Sequence, residues 1–411
     1  MRPVVYLHVG APKSGTTYLQ NVMWHTRREL RDQGLLYPGD DPADHVWAAF
    51  DLREAFFDGL RDPVTIGAWR RLVEEIRDWD GRAALISQEL LAPAFPDHVE
   101  RAMRDLDFAE VHLVYTARDL ARQIPAHWQE DVKNRSVMTF AEFISGLRFP
   151  DDPALPNWIG EFWRMQDAPA VLKRWARGVP PERVHVVTLP PPGAPNGLLL
   201  ERFCRVLGVD PGRCDTTHVF ANPSLGVAET ELIRRVNLAT RQSIDWPVHD
   251  VHVKHGLAQS VLTGRTGTRI RLPEEYHPWV LERSQEMVEA LGTARFDVTG
   301  DLGDLLPGPS NPALAGDPGR ASEEDVLDAA LDAIAALLRT SADESESTVR
   351  ASPQALIDQA ARMNRDAAHL VAVSAPPLKE AVRHLSERHP LVMRAREAYW
   401  RYTESRRQEN R

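Results

Sequence analysis

The stretch Gly10-Ala11-Pro12-Lys13-Ser14-Gly15-Thr16-Thr17 sets two glycines, a lysine and three hydroxyl side chains between a short apolar run, Val4 to Val9, and a helical signal, Tyr18 to Leu30. In that setting successive backbone N–H groups and the positive end of the following helix form a concave anion site. The glycines keep the spacing of the nucleotide-gripping pattern G-x-x-x-x-G-K-[ST], but Thr16 stands where that pattern has its lysine. The lysine comes three residues earlier, at Lys13. An ammonium inside the loop serves the first phosphate and its next neighbour rather than the far end of a triphosphate, with Thr16 and Thr17 expected to add hydroxyl and amide donors. Only five lysines (Lys13, Lys133, Lys173, Lys254 and Lys379) occur among 49 basic residues. A lysine here is therefore no accident of composition, and its compact charge suits a task that a planar guanidinium does not.

Two more positions carry chemistry. The strand-like run Val111 to Thr116 ends in Ala117-Arg118-Asp119 and leads into a helical segment ending near Lys133. A cation at a helix N-terminus is unfavourable unless an anion lies beside it, so Arg118 reads as an anion ligand. The run Ala83 to Glu89 is a buried strand signal that ends in Ser87, Gln88 and Glu89, and ligands of open α/β sheets bind at the carboxyl ends of strands. Glu89 also fits the first turn of a following helix, where the dipole favours a carboxylate.

The segment P-K-S-G-T-T-x-L, Pro12 to Leu19, resembles the 5′-phosphosulfate loop of sulfotransferases that use 3′-phosphoadenosine 5′-phosphosulfate. The pattern R-W-x-x-x-V-P-P-E-R-V-H-V-V, Arg174 to Val187, is similar to one in the same family, and the resemblance spans roughly residues 3 to 225. It implies a P-loop-like α/β fold with a parallel central sheet flanked by helices. It implies that Pro12, Lys13, Ser14, Gly15, Thr16 and Thr17 hold the 5′-phosphosulfate and Arg118 the 3′-phosphate. A serine that helps Arg118 in the family is Ala126 here; His127, Arg122, Gln129 and Lys133 are open as substitutes. The late loop Gly264 to Arg269, with Arg265, is similar to one that closes over the adenosine and 3′-phosphate, although an exposed connection reads equally well. Glu89 takes the place of the catalytic base and Lys13 would stabilise the leaving bridging oxygen, with no metal required. Lys254 and His255, on a short helical stretch, are candidates for supporting or acceptor-side roles. Ser224 or Asn222 reads as the cap of the next helix.

The acceptor implied is a hydroxyl of a small molecule or carbohydrate. Trp47, Phe50, Phe56, Phe57, Trp69 and Trp79 fall in the region that shapes the family's acceptor pocket, though most read as core. A magnesium-dependent phosphotransferase is the competing enzyme reading, weakened by Thr16 and by the lack of a strand ending in a metal-binding aspartate. A non-catalytic nucleotide-binding scaffold is the third, kept open by Ala126.

At 411 residues, 43% hydrophobic and 26% charged, the chain is long enough for a large α/β domain with an appendage. A net charge of −10 argues against a nucleic-acid surface. Two cysteines, Cys204 and Cys214, make no disulfide framework, and no apolar stretch of ~20 residues is present, so a cytoplasmic protein is expected. Strand and helix signals alternate: helices Ser14 to Gln33, Trp69 to Trp79, Asp97 to Leu106, Leu120 to Lys133 and Phe162 to Arg177, with strands Ala83 to Ser87, Val111 to Thr116 and Val184 to Leu189. The composition of 307–322 reads as a linker between a catalytic domain, 1–306, and a helical appendage, 323–411. In that appendage Glu323 to Leu338, Pro353 to Val373 and Leu378 to Arg406 have helical spacing, separated by a mobile acidic break at Ser341 to Ser347. These helices would dock on their own domain or on a second subunit.

Overall fold

The computed structural model describes residues 2–55, 62–150, 159–217, 224–309 and 316–350. From the N-terminus, β1 (Val4–His8) leads through the loop into α1 (Thr16–His25) and α2 (Arg27–Asp32), followed by β2 (Leu35–Leu36), α3 (Asp44–Arg53), α4 (Ala68–Arg77) and β3 (Ala83–Ser87). A 3-10 turn at Glu89–Leu91 precedes α5 (Pro96–Asp105), β4 (Glu110–Ala117), α6 (Leu120–Lys133), α7 (Phe140–Arg148), α8 (Ile159–Gln166), α9 (Ala168–Trp175) and β5 (Val184–Thr188). Then come α10 (Leu198–Leu207), α11 (Val227–Thr240), α12 (Trp246–His249), a π-helix at Asp250–Val261, α13 (His277–Thr293), β6 (Asp297–Thr299) and α14 (Glu323–Arg350).

Among the described residues six strands pair in the order β2-β3-β1-β4-β5-β6, every pair parallel. The expected α/β architecture with a parallel central sheet flanked by helices is what forms. Parallel sheets are covered on both faces, and β3 and β5 are accordingly buried at every position. On one face Leu19, Val22 and Met23 of α1 and Leu30 of α2 pack with Phe203 and Leu207 of α10 against Tyr6, Leu85, Val114 and Val187, one residue from each of four strands. α4 shows how spacing selects a face: Trp69, Leu72, Val73 and Ile76 are buried while the arginines and glutamates between them face water. At the amino ends of β4, β5 and β6, Glu110, His112, His185 and Asp297 form a continuous hydrogen-bonded chain with contacts of 3.2, 2.8 and 2.7 Å. The opposite, carboxyl ends hold the loop.

Several boundaries differ from the pattern reading. The helix expected from Ser14 to Gln33 is two helices, because Thr26 leaves helical geometry and its buried hydroxyl accepts the Asp215 N–H at 2.9 Å. The helix expected from Phe162 to Arg177 breaks at Asp167, whose carboxylate caps α9 by accepting the Ala170 N–H, with Pro169 in the first turn. α11 begins after Gly226 rather than Ser224, since Gly226 is extended and bridges to Arg269, while Asn222 lies outside the described residues. The acidic break at Ser341 to Ser347 is helical: α14 runs without Gly or Pro to Arg350. The two downstream helical segments lie outside the described residues, as do Phe56 and Phe57.

Residues Met1–Ala330 group as one compact unit and Leu331–Arg411 as a second, the division falling inside α14. Within the first unit, part of the segment read as a linker is ordered. Pro318 is buried in a 3-10 turn, the Gly316 carbonyl accepts the Arg271 N–H at 2.9 Å, and Glu323 pairs with Arg235 at 2.6 Å.

Candidate functional site

The loop after β1 turns sharply into α1. Lys13 and Gly15 both have left-handed backbones, φ 64° and 86°, and a Cβ on Gly15 would lie 2.5 Å from a Leu199 methyl, so glycine is required there. α1 starts at Thr16 with no side-chain cap and no acidic residue in its first turn, which leaves its first N–H groups for a ligand. Thr17 is exposed, whereas Thr16 is buried. The Ser14 hydroxyl is buried inside the loop, 2.5 Å from both the Ala11 carbonyl and the Thr116 hydroxyl, so it shapes the loop rather than facing a ligand. Below it, His8 bridges Thr116 at 3.2 Å and Ser87 at 2.8 Å; burial drives its pKa down to about 3, which keeps the imidazole neutral. The Pro12 carbonyl accepts from the amides of Gln123 and Gln166, fixing the loop against α6 and α8.

Arg118, directly after β4, donates from Nη1 to the Lys13 carbonyl at 2.8 Å. Its Nε is buried and has no hydrogen-bond partner. Burial lowers the guanidinium pKa to about 10, with the charges of Arg122 and Arg269 pushing the same way against Asp119. A buried arginine crowded by two like charges, with a donor unfilled, is unfavourable until an anion enters. These groups open onto a cleft of about 1530 Å³ whose walls include Arg118, Arg122, Ala126, Arg265 and Arg269. Arg265 reaches that wall but is held by Glu229 at 2.9 Å. Arg269, in the same loop, has no side-chain hydrogen bond or ion pair among the described residues, and is the loop arginine whose charge reaches Arg118. Glu229 fits beneath this loop only because Gly226 and Gly267 lack side chains; a Cβ on either would collide with its carboxylate.

Of the groups open as substitutes for the serine at Ala126, His127 is bonded to Gln166, and Gln129 is occupied by Leu225 and Thr230. Lys133 is buried against Glu130. Arg122, paired with Asp119 and donating to the Pro190 carbonyl at 3.2 Å, faces the cleft.

Glu130 on α6, which no motif marks, is the partner of the loop lysine: Lys13 Nζ lies 3.0 Å from its Oε2, and Lys133 Nζ 3.8 Å from the same oxygen. Burial alone would raise the Glu130 carboxyl, but Lys13, Lys133 and Lys254 outweigh it and bring the pKa to about 2. Three of the chain's five lysines thus surround one carboxylate. Lys254 comes from the π-helix; its neighbour His255 is exposed and bonded to the Asp250 carbonyl. The Glu130/Lys133 spacing along α6 was readable as an i,i+3 pair. Its meeting with Lys13, 117 residues away, was not.

Glu89 opens the 3-10 turn after β3, and its Oε2 accepts from Gln20 Nε2 at 2.7 Å. Gln20 lies on α1, one turn beyond Thr16, so the carboxylate is tied to the same helix that carries the loop. The structure therefore brings Pro12 to Thr17, Arg118 and Glu89 to the carboxyl ends of three adjacent strands, β3, β1 and β4. Arg265 stands at the cleft wall.

These features define an α/β protein with a glycine-bearing strand-loop-helix turn and an arginine-lined cleft beside a parallel sheet. No protein-family model and no curated protein matches the chain. Among solved structures, a sulfotransferase from Alicyclobacillus acidocaldarius is similar at 18% identity and a TM-score of 0.36, over 61% of this chain and 99% of that one. A likeness at that level carries no argument, and the functional reading rests on the site itself.

Proposed function

We propose that the protein transfers a sulfuryl group from 3′-phosphoadenosine 5′-phosphosulfate to a hydroxyl of a small-molecule or carbohydrate acceptor. The observation that carries this reading is the coupling of two anion positions through one residue: Lys13 sits inside the cradle, and its carbonyl is held by the buried, incompletely bonded Arg118. A ligand with phosphate at both ends of a nucleoside matches that pair better than a linear triphosphate. The cradle N–H groups and Lys13 fit the 5′ end, and Arg118, with Arg122 and Arg269, fits the 3′ end.

The donor supplies an activated sulfuryl group, and the chain supplies charge and position. Lys13 is drawn from Glu130 toward the bridging oxygen and offsets the charge that grows there. Glu89 keeps Oε2 on Gln20 and accepts the acceptor hydroxyl's proton on Oε1, becoming the neutral acid as the new S–O bond forms, the bond from sulfur to the bridging oxygen breaks and adenosine 3′,5′-bisphosphate leaves with that oxygen. His8 and Ser14 stiffen the cradle from below.

The test uses the radiolabelled donor with pooled hydroxyl compounds as acceptors. Glu89→Gln is expected to lower transfer by roughly 10²–10⁴-fold, the usual span for a lost general base, while leaving adenosine 3′,5′-bisphosphate affinity within about twofold. Transfer at the wild-type rate in Glu89→Gln would remove Glu89 from the chemistry.

A further inference from the structure

The turn that begins at Glu89 is gripped from behind by arginines that the donor reading leaves unused. Arg174 of α9 donates to the Ala92 carbonyl at 2.6 Å and to the Arg164 carbonyl at 2.8 Å, and Arg164 of α8 donates to the Pro93 carbonyl. Arg53, in the last turn of α3, joins them. Among the described residues the one carboxylate paired with them is Glu161, 2.7 Å from Arg164 and 4.0 Å from Arg53. Asp167, the next acid in the neighbourhood, is already taken by Arg283 at 2.6 Å. Among the described residues three guanidiniums therefore share one counter-charge.

Their bonding is unfinished. Arg53 is only 15% exposed, yet among the described residues it makes no hydrogen bond, and 4.0 Å to Glu161 is too long for one. The Arg174 Nε is buried without a partner. Burial and the neighbouring like charges hold both guanidiniums below their ordinary pKa. Leaving the buried Arg174 Nε unfilled is costly, and a planar fork is suited to a carboxylate or another oxyanion. Beside them Phe95 is 52% exposed, with the Arg164 guanidinium 3.8 Å over its ring, an apolar face next to the charge.

We propose that this cluster is an acceptor subsite: the acceptor carries an oxyanion, a carboxylate or a sulfate or phosphate ester, which Arg53 binds with Arg164, while its reacting hydroxyl lies at Glu89. The assignment rests on the sulfuryl-transfer reading and narrows its substrate class. One 3-10 turn, ~6 Å of backbone rise, lies between Glu89 and the Ala92 carbonyl that Arg174 holds, so the proposed acceptor carries its anion near its reacting hydroxyl.

The experiment compares lactobionate with lactitol, disaccharide derivatives alike except for the carboxylate, by calorimetry on the full chain saturated with adenosine 3′,5′-bisphosphate. Acetate at equal ionic strength is the control. Lactobionate is expected to bind at least tenfold more tightly than lactitol, and Arg53→Gln to erase that difference while bisphosphate affinity is unchanged. Glu161→Gln, which removes the competing carboxylate, is expected to tighten lactobionate several-fold, and unchanged or weaker binding in that variant counts against the subsite even should Arg53→Gln fail to fold. Equal binding of the two sugars, acetate binding as tightly as lactobionate, or a preference that survives Arg53→Gln overturns the subsite. Failure of the bisphosphate itself to bind overturns the donor reading instead, and the sugar comparison on the unloaded chain still decides the arginine cluster.

Discussion

Lys13 is the residue at the centre of the proposed chemistry, and the structure shows it paired with Glu130. That pairing acts in two directions. Glu130 neutralises Lys133, which is 2% exposed and has few other ways to stay charged. It also places a negative charge beside the cradle that an anionic donor must enter. Glu130→Gln should therefore separate fold from binding. Loss of the shared carboxylate strands a buried ammonium and is expected to cost on the order of 3 kcal/mol in urea unfolding. Bisphosphate should bind about tenfold more tightly, because one repulsive charge about 10 Å away is worth roughly 1–2 kcal/mol at an effective dielectric near 20. Weaker binding of the bisphosphate would show that Glu130 positions Lys13 for the ligand rather than competing with it. At this scale the sequence was legible where chemistry is local. The placement of the loop, Arg118 and Glu89 at the carboxyl ends of strands could be read because each ends a strand signal. Glu130, Gln20, Gln123 and Gln166 could not, because each acts only through a partner tens to hundreds of residues distant.

Among the elements, the strands were the most readable, since a parallel sheet buried on both faces leaves short continuous apolar runs. The helices that were read exist but not with the expected breaks, and α3, α7, α10 and α13 were not read at all. Thr26 and Asp167 interrupt apolar periodicity that continues on either side, and the hydrogen bond that Thr26 accepts comes from a distant residue. The same burial that defines these elements leaves histidines inside them: His8 in β1, His45 in α3 and His127 in α6, with pKa values brought down by burial to about 3, about 4 and about 4. In the unfolded chain each takes a proton near pH 6.5; folded, each refuses it until far lower pH. The unfolded state thus binds more protons between about pH 4 and 6.5, and stability rises with pH there. Asp131 opposes this: burial, and then the Glu130 charge, raise its folded pKa to about 8 from 3.8, so its contribution declines as pH rises through the same window. Three histidines against one carboxyl leave a slope of about 2–3 kcal/mol per pH unit. Urea midpoints should climb steeply from about pH 5 to 6.5, and a flat or falling profile would contradict the buried neutral histidines.

Over the whole molecule, a net charge of −10 coexists with local positive clusters: arginines at the cleft, lysines around Glu130, and the Arg53 group behind the Glu89 turn. Binding to this protein is a matter of where those cations are held, not of overall charge. The catalytic reading needs only the first compact unit, Met1–Ala330. What the whole fold adds is the relative placement of loop and cleft, which on the proposed reading selects the donor. The most direct measurement is thermal stabilisation of the full chain by adenosine 3′,5′-bisphosphate beside ATP with magnesium, in the wild type and in Arg118→Ala. At 100 times its dissociation constant a ligand of the native state adds about 2.7 kcal/mol. The bisphosphate is expected to raise the melting temperature, Mg-ATP to do so far less, and Arg118→Ala to abolish the preference. Stabilisation by Mg-ATP alone would contradict sulfuryl transfer and make the displaced lysine the signature of a phosphotransferase.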